Sequence, residues 1–291
     1  MSEYVLFSDS TLDLPADCCE KYGIRVIPMC VSIDGELYRY NVDEKELSCA
    51  DFYTRLKQGA SCSTSQINYK DFKDSFEPVL KQGKDILYIA FTSGMSSTYN
   101  TAKIAVNDLK EKYPDRKIIV VDSLSASIGE GVLVLNAAVK KQNGSDIDAL
   151  AKWVEENRLK VCHWFVVEDL DQLKKGGRIS SAAATFGKAL GIRPLISVDN
   201  SGKLLVVAKI RGQKKVYSEI LSRLISDGVD TPSQTVVIGH ANCPENAMEL
   251  KKLLKDRRLV KNIIVANIGP IIGAHVGSGM LALAFMGERK L

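Results

Sequence analysis

The chain has 291 residues, 45% of them apolar and 25% charged, with a net charge of +4. This is the mixture of an ordinary globular protein, long enough for one large domain or two smaller ones. The mild charge, with no block of like sign, gives no electrostatic reason to expect nucleic acid.

The first residues, MSEYVLFSDS, carry an acid where an export signal would be basic, and their apolar run is short, so the cytoplasm is the expected compartment. From there the first half repeats one grammar of apolar strand, hydroxyl residues and helix. YVLF leads into SDSTLDLP, DILYIAF into TSGMSSTYNTAKIAVNDLKEKY, and KIIVV into DSLSASIGEGVLVLNAAVKKQ. Such alternation predicts a parallel sheet with helices on its faces. The middle helix is expected from Thr98 to Tyr113, starting at Ser96 or Ser97 and stopping before Pro114. Residues 29–76 are less regular and read as a small insertion, with a hairpin VSIDGELYRY turning at Asp34-Gly35.

Near Lys160 the grammar changes, which predicts domains of residues 1–160 and 161–291. The second half reads as a strand (VCHWFVV), a short helix ending in two glycines (DLDQLKKGGRIS) and a small-residue helix (SAAATFGKAL). Two strands joined at Asn200-Ser201-Gly202 follow, then a helix from Gln213 to Ser226, a strand TVVIGHA and a helix from Pro244 to Lys255. The expected fold class is α/β: an N-terminal parallel-sheet domain with an insertion, plus a C-terminal α+β domain with a mixed sheet.

The stretch NIIVANIGPIIGAHVGSGMLALAFMG, Asn262 to Gly287, has no charged residue and the length of a membrane span. Its four internal glycines and its proline break a helix, and nothing in the sequence supplies a partner to rescue one in lipid. The better reading is a buried strand, a glycine-rich loop and a second buried strand. His275 then sits in that loop as a costly buried polar group that needs a partner.

Chemistry-bearing motifs are few. The seven cysteines are odd in number and form no C-x-x-C pair, so they read as reduced, structural thiols. His163, His240 and His275 are scattered without acidic neighbours, which argues against a metal. There is no Walker loop, H-E-x-x-H or G-x-S-x-G. Hydroxyls cluster at three strand ends: Ser8, Ser10 and Thr11; Thr92, Ser93, Ser96, Ser97 and Thr98; Ser123, Ser125 and Ser127. A fourth cluster is SCSTSQ, Ser61 to Gln66. Any one serine there is a helix cap. Four clusters at equivalent places make a shared anion pocket an equal reading, and neutral donors suit a carboxylate better than a polyphosphate. KKGGR at 174–178, Arg193 and Arg211 read as solvated surface.

In order and spacing, several segments together resemble the DegV family, and within it the FakB-type fatty-acid-binding subunits of fatty acid kinase. They are SDSTLDLP, TSQ at 64–66, TSGMSSTY at 92–99, LKKGGRIS at 173–180, GIRPLISVDNSGKL at 191–204 and IGPIIGAHVGSGMLALAF at 268–285. The resemblance covers essentially the whole chain. It implies a non-enzymatic subunit that binds one long-chain fatty acid and needs no cofactor. The acyl chain would lie in the second domain and the carboxylate at the interface. An ATP-dependent kinase subunit would phosphorylate that carboxylate to an acyl phosphate for phospholipid synthesis. By motif, Thr64, Ser65, Ser93 and His275 would hold the carboxylate, and Arg178 and Arg211 would serve the kinase. The sequence departs from the family pattern at Ser97 (usually glycine), Ile67 (often proline) and Arg193 (commonly lysine). The resemblance implies no nucleic acid and no spanning segment, and it leaves room for transient contact with a membrane surface. A free-standing enzyme on a small carboxylated or phosphorylated metabolite, and a fatty-acid sensor without turnover, are the competing readings.

Overall fold

The computed structural model describes residues 3–179 and 191–290. The segment SAAATFGKAL, expected as a small-residue helix, lies outside them.

The chain opens with β1 (Tyr4–Asp9), α1 (Ala16–Lys21) and β2 (Ile24–Ile27). A small antiparallel sheet follows, built from β3 (Met29–Ile33), β4 (Glu36–Tyr40) and, after α2 (Cys49–Lys57), β5 (Cys62–Ser65), in the order β4-β3-β5. The expected hairpin is there: Asp34 and Gly35 both take positive φ (51° and 89°), which matches a two-residue turn to strand twist. The third strand, CSTS, is new to the reading. A four-residue strand rich in serine gives no apolar alternation, yet it pairs with β3 through Thr64 opposite Val31. Then come α3 (Tyr69–Lys81), β6 (Asp85–Ala90), α4 (Thr98–Lys112), β7 (Ile118–Asp122), α5 (Ile128–Gln142) and α6 (Ile147–Asn157). Strands β2-β1-β6-β7 form the expected parallel sheet.

The second half contains β8 (Val161–Val166), α7 (Asp171–Lys175), β9 (Ile192–Val198), β10 (Leu204–Arg211), α8 (Gln213–Asp227), β11 (Thr235–His240), α9 (Pro244–Asp256), β12 (Asn262–Asn267), α10 (Pro270–Val276) and β13 (Leu281–Met286). Its sheet runs β10-β9-β8-β13-β11-β12 and is mixed, with only β11 and β12 parallel. Two expectations need correcting. Strand β12 is not fully buried. It is the edge of the sheet and is half-exposed: Ile264 and Ala266 pack on one core and Ile263 and Val265 on the other, but among the described residues no strand covers its outer side. And the glycine-rich loop contains a helix, α10, which puts His275 in its last turn. Gly269 at the start, Pro270 in the first turn and Gly277 at φ +72° are helix-boundary residues, so glycine and proline here delimit a helix rather than break one.

One apolar core crosses the boundary near residue 160. It includes Leu6, Tyr88 and Val132 of the first half with Phe165, Ile196, Ala282 and Ala284 of the second. Helix α5 is the shared layer: it packs on α6 and also on β8, β11 and β13. The opposite face of the large sheet is closed by α8 and α9 over Trp164, Leu195, Leu283 and Phe285.

Candidate functional site

A cavity of about 400 Å³ lies between the large sheet and the strand-end loops of the first half. That volume falls within the range of small-molecule pockets. Its apolar walls come from both halves: Phe165, Val198, Leu204, Ala282 and Ala284 from the sheet, Phe91, Met95 and Ile128 from the first half, and Ile271, Ile272 and Val276 from α10. Polar side chains gather where β5, the turn after β6, the turn after α7 and the end of α10 meet. Thr64, Ser65, Gln66, Ser93, Ser96, Ser97, Arg178 and His275 all line the cavity there.

The centre of this polar end is a pair from distant parts of the chain. Thr64 Oγ1 and His275 Nε2 are 2.8 Å apart. The small sheet and α2 hold the pair in place by packing on α10, where the Tyr53 hydroxyl donates to Ile268 O (2.8 Å). On the other side, α7 brings Gly176 against the His275 ring so closely that a Cβ at 176 would overlap Nδ1. Burial pushes His275 down to about 4, and the Arg178 guanidinium adds to the shift. The imidazole is therefore neutral at physiological pH. Its Nδ1 is buried with no partner among the described residues. Arg178 donates from Nε to Met95 O (3.2 Å) and from a terminal nitrogen to Gly176 O, which ties the cavity wall to the turn after β6.

Thr64, His275 and Arg178 also line a second, polar groove of about 480 Å³, together with Ser61, Ser63, Gln172 and Lys175. The trio thus forms a partition with an apolar cavity on one side and a polar groove on the other. An amphipathic ligand could bury its tail behind that partition and keep a polar head within reach from outside.

The structure brings Thr64, Ser65, Ser93, Arg178 and His275 to one cavity. It does not bring Arg211 there. Arg211 is exposed at the far end of β10, outside the described residues that line the cavity. The reading of four hydroxyl clusters as one anion pocket needs narrowing. Ser8 donates to Ile89 O and Glu130, Ser10 accepts from Met29 N–H, and Ser123 donates to Ser125 O. Thr11 and Ser127 line the cavity, but their hydroxyls are committed to Asp9 and Glu130, and to Asp13. Buried hydroxyls satisfy buried acceptors before any ligand arrives.

Those acceptors form a cluster that the sequence did not reveal. Asp9, Asp13 and Glu130 are all buried, and burial raises the pKa of each. Asp13 accepts from Ser127 Oγ (2.6 Å) and from the N–H of Gly269 (2.8 Å), so a carboxyl group of the first half anchors the start of the helix that carries His275. The acids come from SDSTLD and from GEG more than 100 residues later, and nothing in the sequence sets the two stretches side by side. Among the described residues, no group of three or more His, Cys, Asp or Glu is arranged to hold a metal ion, and no helix is long and apolar enough to cross a membrane.

The sequence profile of the DegV family, described as "Uncharacterised protein, DegV family", matches residues 4–288. A DegV domain-containing protein of Clostridium perfringens is 42% identical over 290 residues, covering 100% of this chain and 99% of that protein. Among solved structures, a DegV family protein from Thermus thermophilus, described by its fatty acid binding, superimposes with a TM-score of 0.87 at 27% identity, over 98% of this chain and 100% of that one. DegV from Bacillus subtilis, described as a fatty acid binding protein, gives a TM-score of 0.85 at 29% identity, over 99% and 100%.

Proposed function

The chain belongs to the DegV family, and from that premise we propose that it binds one long-chain fatty acid in the cavity beneath α10. The observation that carries this reading is the partition: Thr64, Arg178 and His275 border an apolar cavity and a polar groove at once. An acyl chain has the chemistry of the first and a carboxylate that of the second. Thr64, Ser65, Ser93 and His275 are the proposed carboxylate ligands, with Arg178 supplying positive charge beside them.

The energetics divide the labour. At ~0.8 kcal/mol per buried methylene, a long chain gains roughly 10 kcal/mol gross. A hydrogen bond to a charged carboxylate adds ~1.5–3 kcal/mol before desolvation. The chain sets affinity, and the polar end sets where the carboxylate points.

We further propose that the protein is a FakB-type subunit acting in the cytoplasm, without catalytic residues of its own. A separate kinase subunit would bring ATP to the polar groove. A carboxylate oxygen would attack the γ-phosphorus, the bond to ADP would break, and an acyl phosphate would form for phospholipid synthesis. Phosphoryl transfer depends mostly on alignment and charge stabilisation, which is what a fixed carboxylate offers.

The test is organic extraction and mass spectrometry of the purified protein, followed by incubation with ATP and a fatty acid kinase subunit. A stoichiometric long-chain acid converted to acyl phosphate is the expected result. An empty cavity that also refuses added fatty acid would sink the reading. A bound acid that no kinase turns over would leave a carrier or sensor instead.

A further inference from the structure

The cavity floor is a sheet, and a packed sheet ordinarily has no room above it. Along a strand, side chains alternate between faces. On β13, Ala282 and Ala284 face the cavity, opposite Phe165 and His163 of β8. Trp164 and Leu283, which pair between them, send their side chains into the core on the other face. Yet Trp164 and Leu283 also line the cavity. Side chains on the far face can do so only through backbone, and that backbone is bare because its neighbours on β13 end at a methyl group. The space above β13 therefore exists because residues 282 and 284 are alanine.

The same space has definite limits. One step further along the near face are Met286 and Val161, which pair with each other and do not line the cavity. On the β11 side, a Cβ at Gly239 would meet Ile268 Cδ1 at 2.6 Å and Ile128 Cγ2 at 3.0 Å. These two isoleucines thus lean over bare backbone and shut the cavity off. The surroundings are fixed as well. The His163 ring accepts from Ala126 N–H at 3.4 Å and lies so close to Gly129 that a Cβ there would overlap it. A larger side chain at 284 has no slack beneath or beside it and must project into the cavity.

We infer that Ala284, with Ala282 beside it and Ile128 leaning over Gly239 opposite Ala282, sets the length of acyl chain that the protein accepts. This rests on the cavity being the acyl site. Ala284 is the fourth residue of β13, one step beyond Ala282 as the strand runs on from the helix that carries His275, so the proposal sets it beside the tail and not the head.

The experiment measures affinity for saturated acids from octanoic to octadecanoic acid, with wild type, Ala284→Val, Ala282→Val and Ile128→Ala. Ala284→Val and Ala282→Val should move the preferred acid to a shorter chain, losing about fourfold in affinity per methylene displaced. Binding of the shortest acids should stay near wild type. Ile128→Ala removes volume and should move the preference to longer chains. If Ala284→Val does not fold, Ile128→Ala still tests the inference from the opposite direction. A uniform loss at every chain length, or an unchanged profile in folded variants, would overturn it. A wild type that binds no acid at all would remove the proposed function and this inference together. A wild type whose clear preference the variants leave alone would remove only the inference.

Discussion

The hydroxyl of Thr64 lies 2.8 Å from Nε2 of His275, although 211 residues separate them in the chain. The contact joins the last strand of the small sheet to the last turn of α10, so the supposed insertion is part of the site. A neutral imidazole beside a hydroxyl can share or donate a proton to a third group, and a ligand carboxylate is suited to be that group. His275→Ala and Ser93→Ala should therefore impair acyl-phosphate formation more than fatty-acid affinity. Loss of one hydrogen bond to a charged group, ~1.5–3 kcal/mol, is small beside the burial of a long chain. Parallel measurement of Kd and kinase-dependent turnover decides this. Equal losses in both would show that the head group governs affinity after all.

His275 should also link binding to protons. In the free protein its pKa is pushed down to about 4, first by burial and then by Arg178. A carboxylate arriving beside it favours the protonated ring and raises that value. Binding should thus take up protons between about pH 5 and 7, where a carboxylate is already ionised. Affinity should strengthen as pH falls through that window. Calorimetry in two buffers of different ionisation enthalpy reads the uptake directly, and His275→Gln should abolish it. No uptake by wild type would mean that the ring stays neutral in the complex.

Gly176 makes a sharper structural prediction. Its φ of −71° suits any residue, so the backbone does not demand glycine. The demand comes from His275, whose Nδ1 occupies the space of a Cβ. Gly176→Ala should push the ring away from Thr64 and reproduce the turnover defect of His275→Ala. The overpacking should cost about 1–3 kcal/mol of stability. The histidine ring signals in an NMR spectrum would report the displacement. An unperturbed ring with normal turnover would contradict the close approach.

Much of this was legible in the sequence because it rests on short-range rules. The strand-hydroxyl-helix grammar gave the parallel sheet, and Asp34-Gly35 and Asn200-Ser201-Gly202 gave the hairpins. Thr64, Ser93, Arg178 and His275 came from motif order and do meet at one cavity. What stayed hidden depends on contacts between distant segments. Strand β5 has no apolar alternation of its own and exists because β3 offers it an edge. Strand β12 looks fully buried by composition, and only its place at the sheet edge exposes it. The acids Asp9, Asp13 and Glu130 look like surface charges one at a time, and only the fold gathers them.

Those acids predict an unusual pH dependence of stability. Asp13 is raised to about 8, mainly by burial, against a reference near 3.9. Between these values the native state holds a proton that the unfolded state has released, so stability falls as pH rises across that window. Asp9 and Glu130, also raised by burial, act in the same direction. The opposing hydrogen bonds from Ser127 and Gly269 limit the Asp13 shift without reversing it. Asp13→Asn should flatten the decline in Tm between about pH 5 and 8 and give its main gain at the alkaline end, provided the amide keeps its contact to Gly269. Thermal melts across that range test it. A variant with the wild-type slope would assign the dependence to other groups.

The two arginines that the sequence grouped together should separate in function. Arg178 lines the cavity and is tied by hydrogen bonds to Met95 and Gly176, so its charge would act on the proposed carboxylate. Arg211 ends an eight-residue edge strand that begins at Leu204 in the cavity wall. At ~3.3 Å of rise per residue, it lies roughly 20 Å along the sheet from that wall. An exposed arginine at that distance gives little to a buried ligand, because solvent and salt screen it. It can still meet an acidic partner surface or a phosphate, since its planar fork pairs with either. Arg211→Glu should therefore leave fatty-acid affinity near wild type and slow kinase-dependent phosphorylation, chiefly through slower association. That defect should shrink as salt is raised, because the loss is electrostatic steering. Arg178→Gln should weaken the hold on the carboxylate itself, by the ~1.5–3 kcal/mol of a charged hydrogen bond at most, with a defect that salt hardly changes. Kd and phosphorylation rate, each at two salt concentrations, separate the cases. An Arg211→Glu protein that is phosphorylated like wild type, or that fails to hold lipid, would return Arg211 to ordinary surface or to the lipid site.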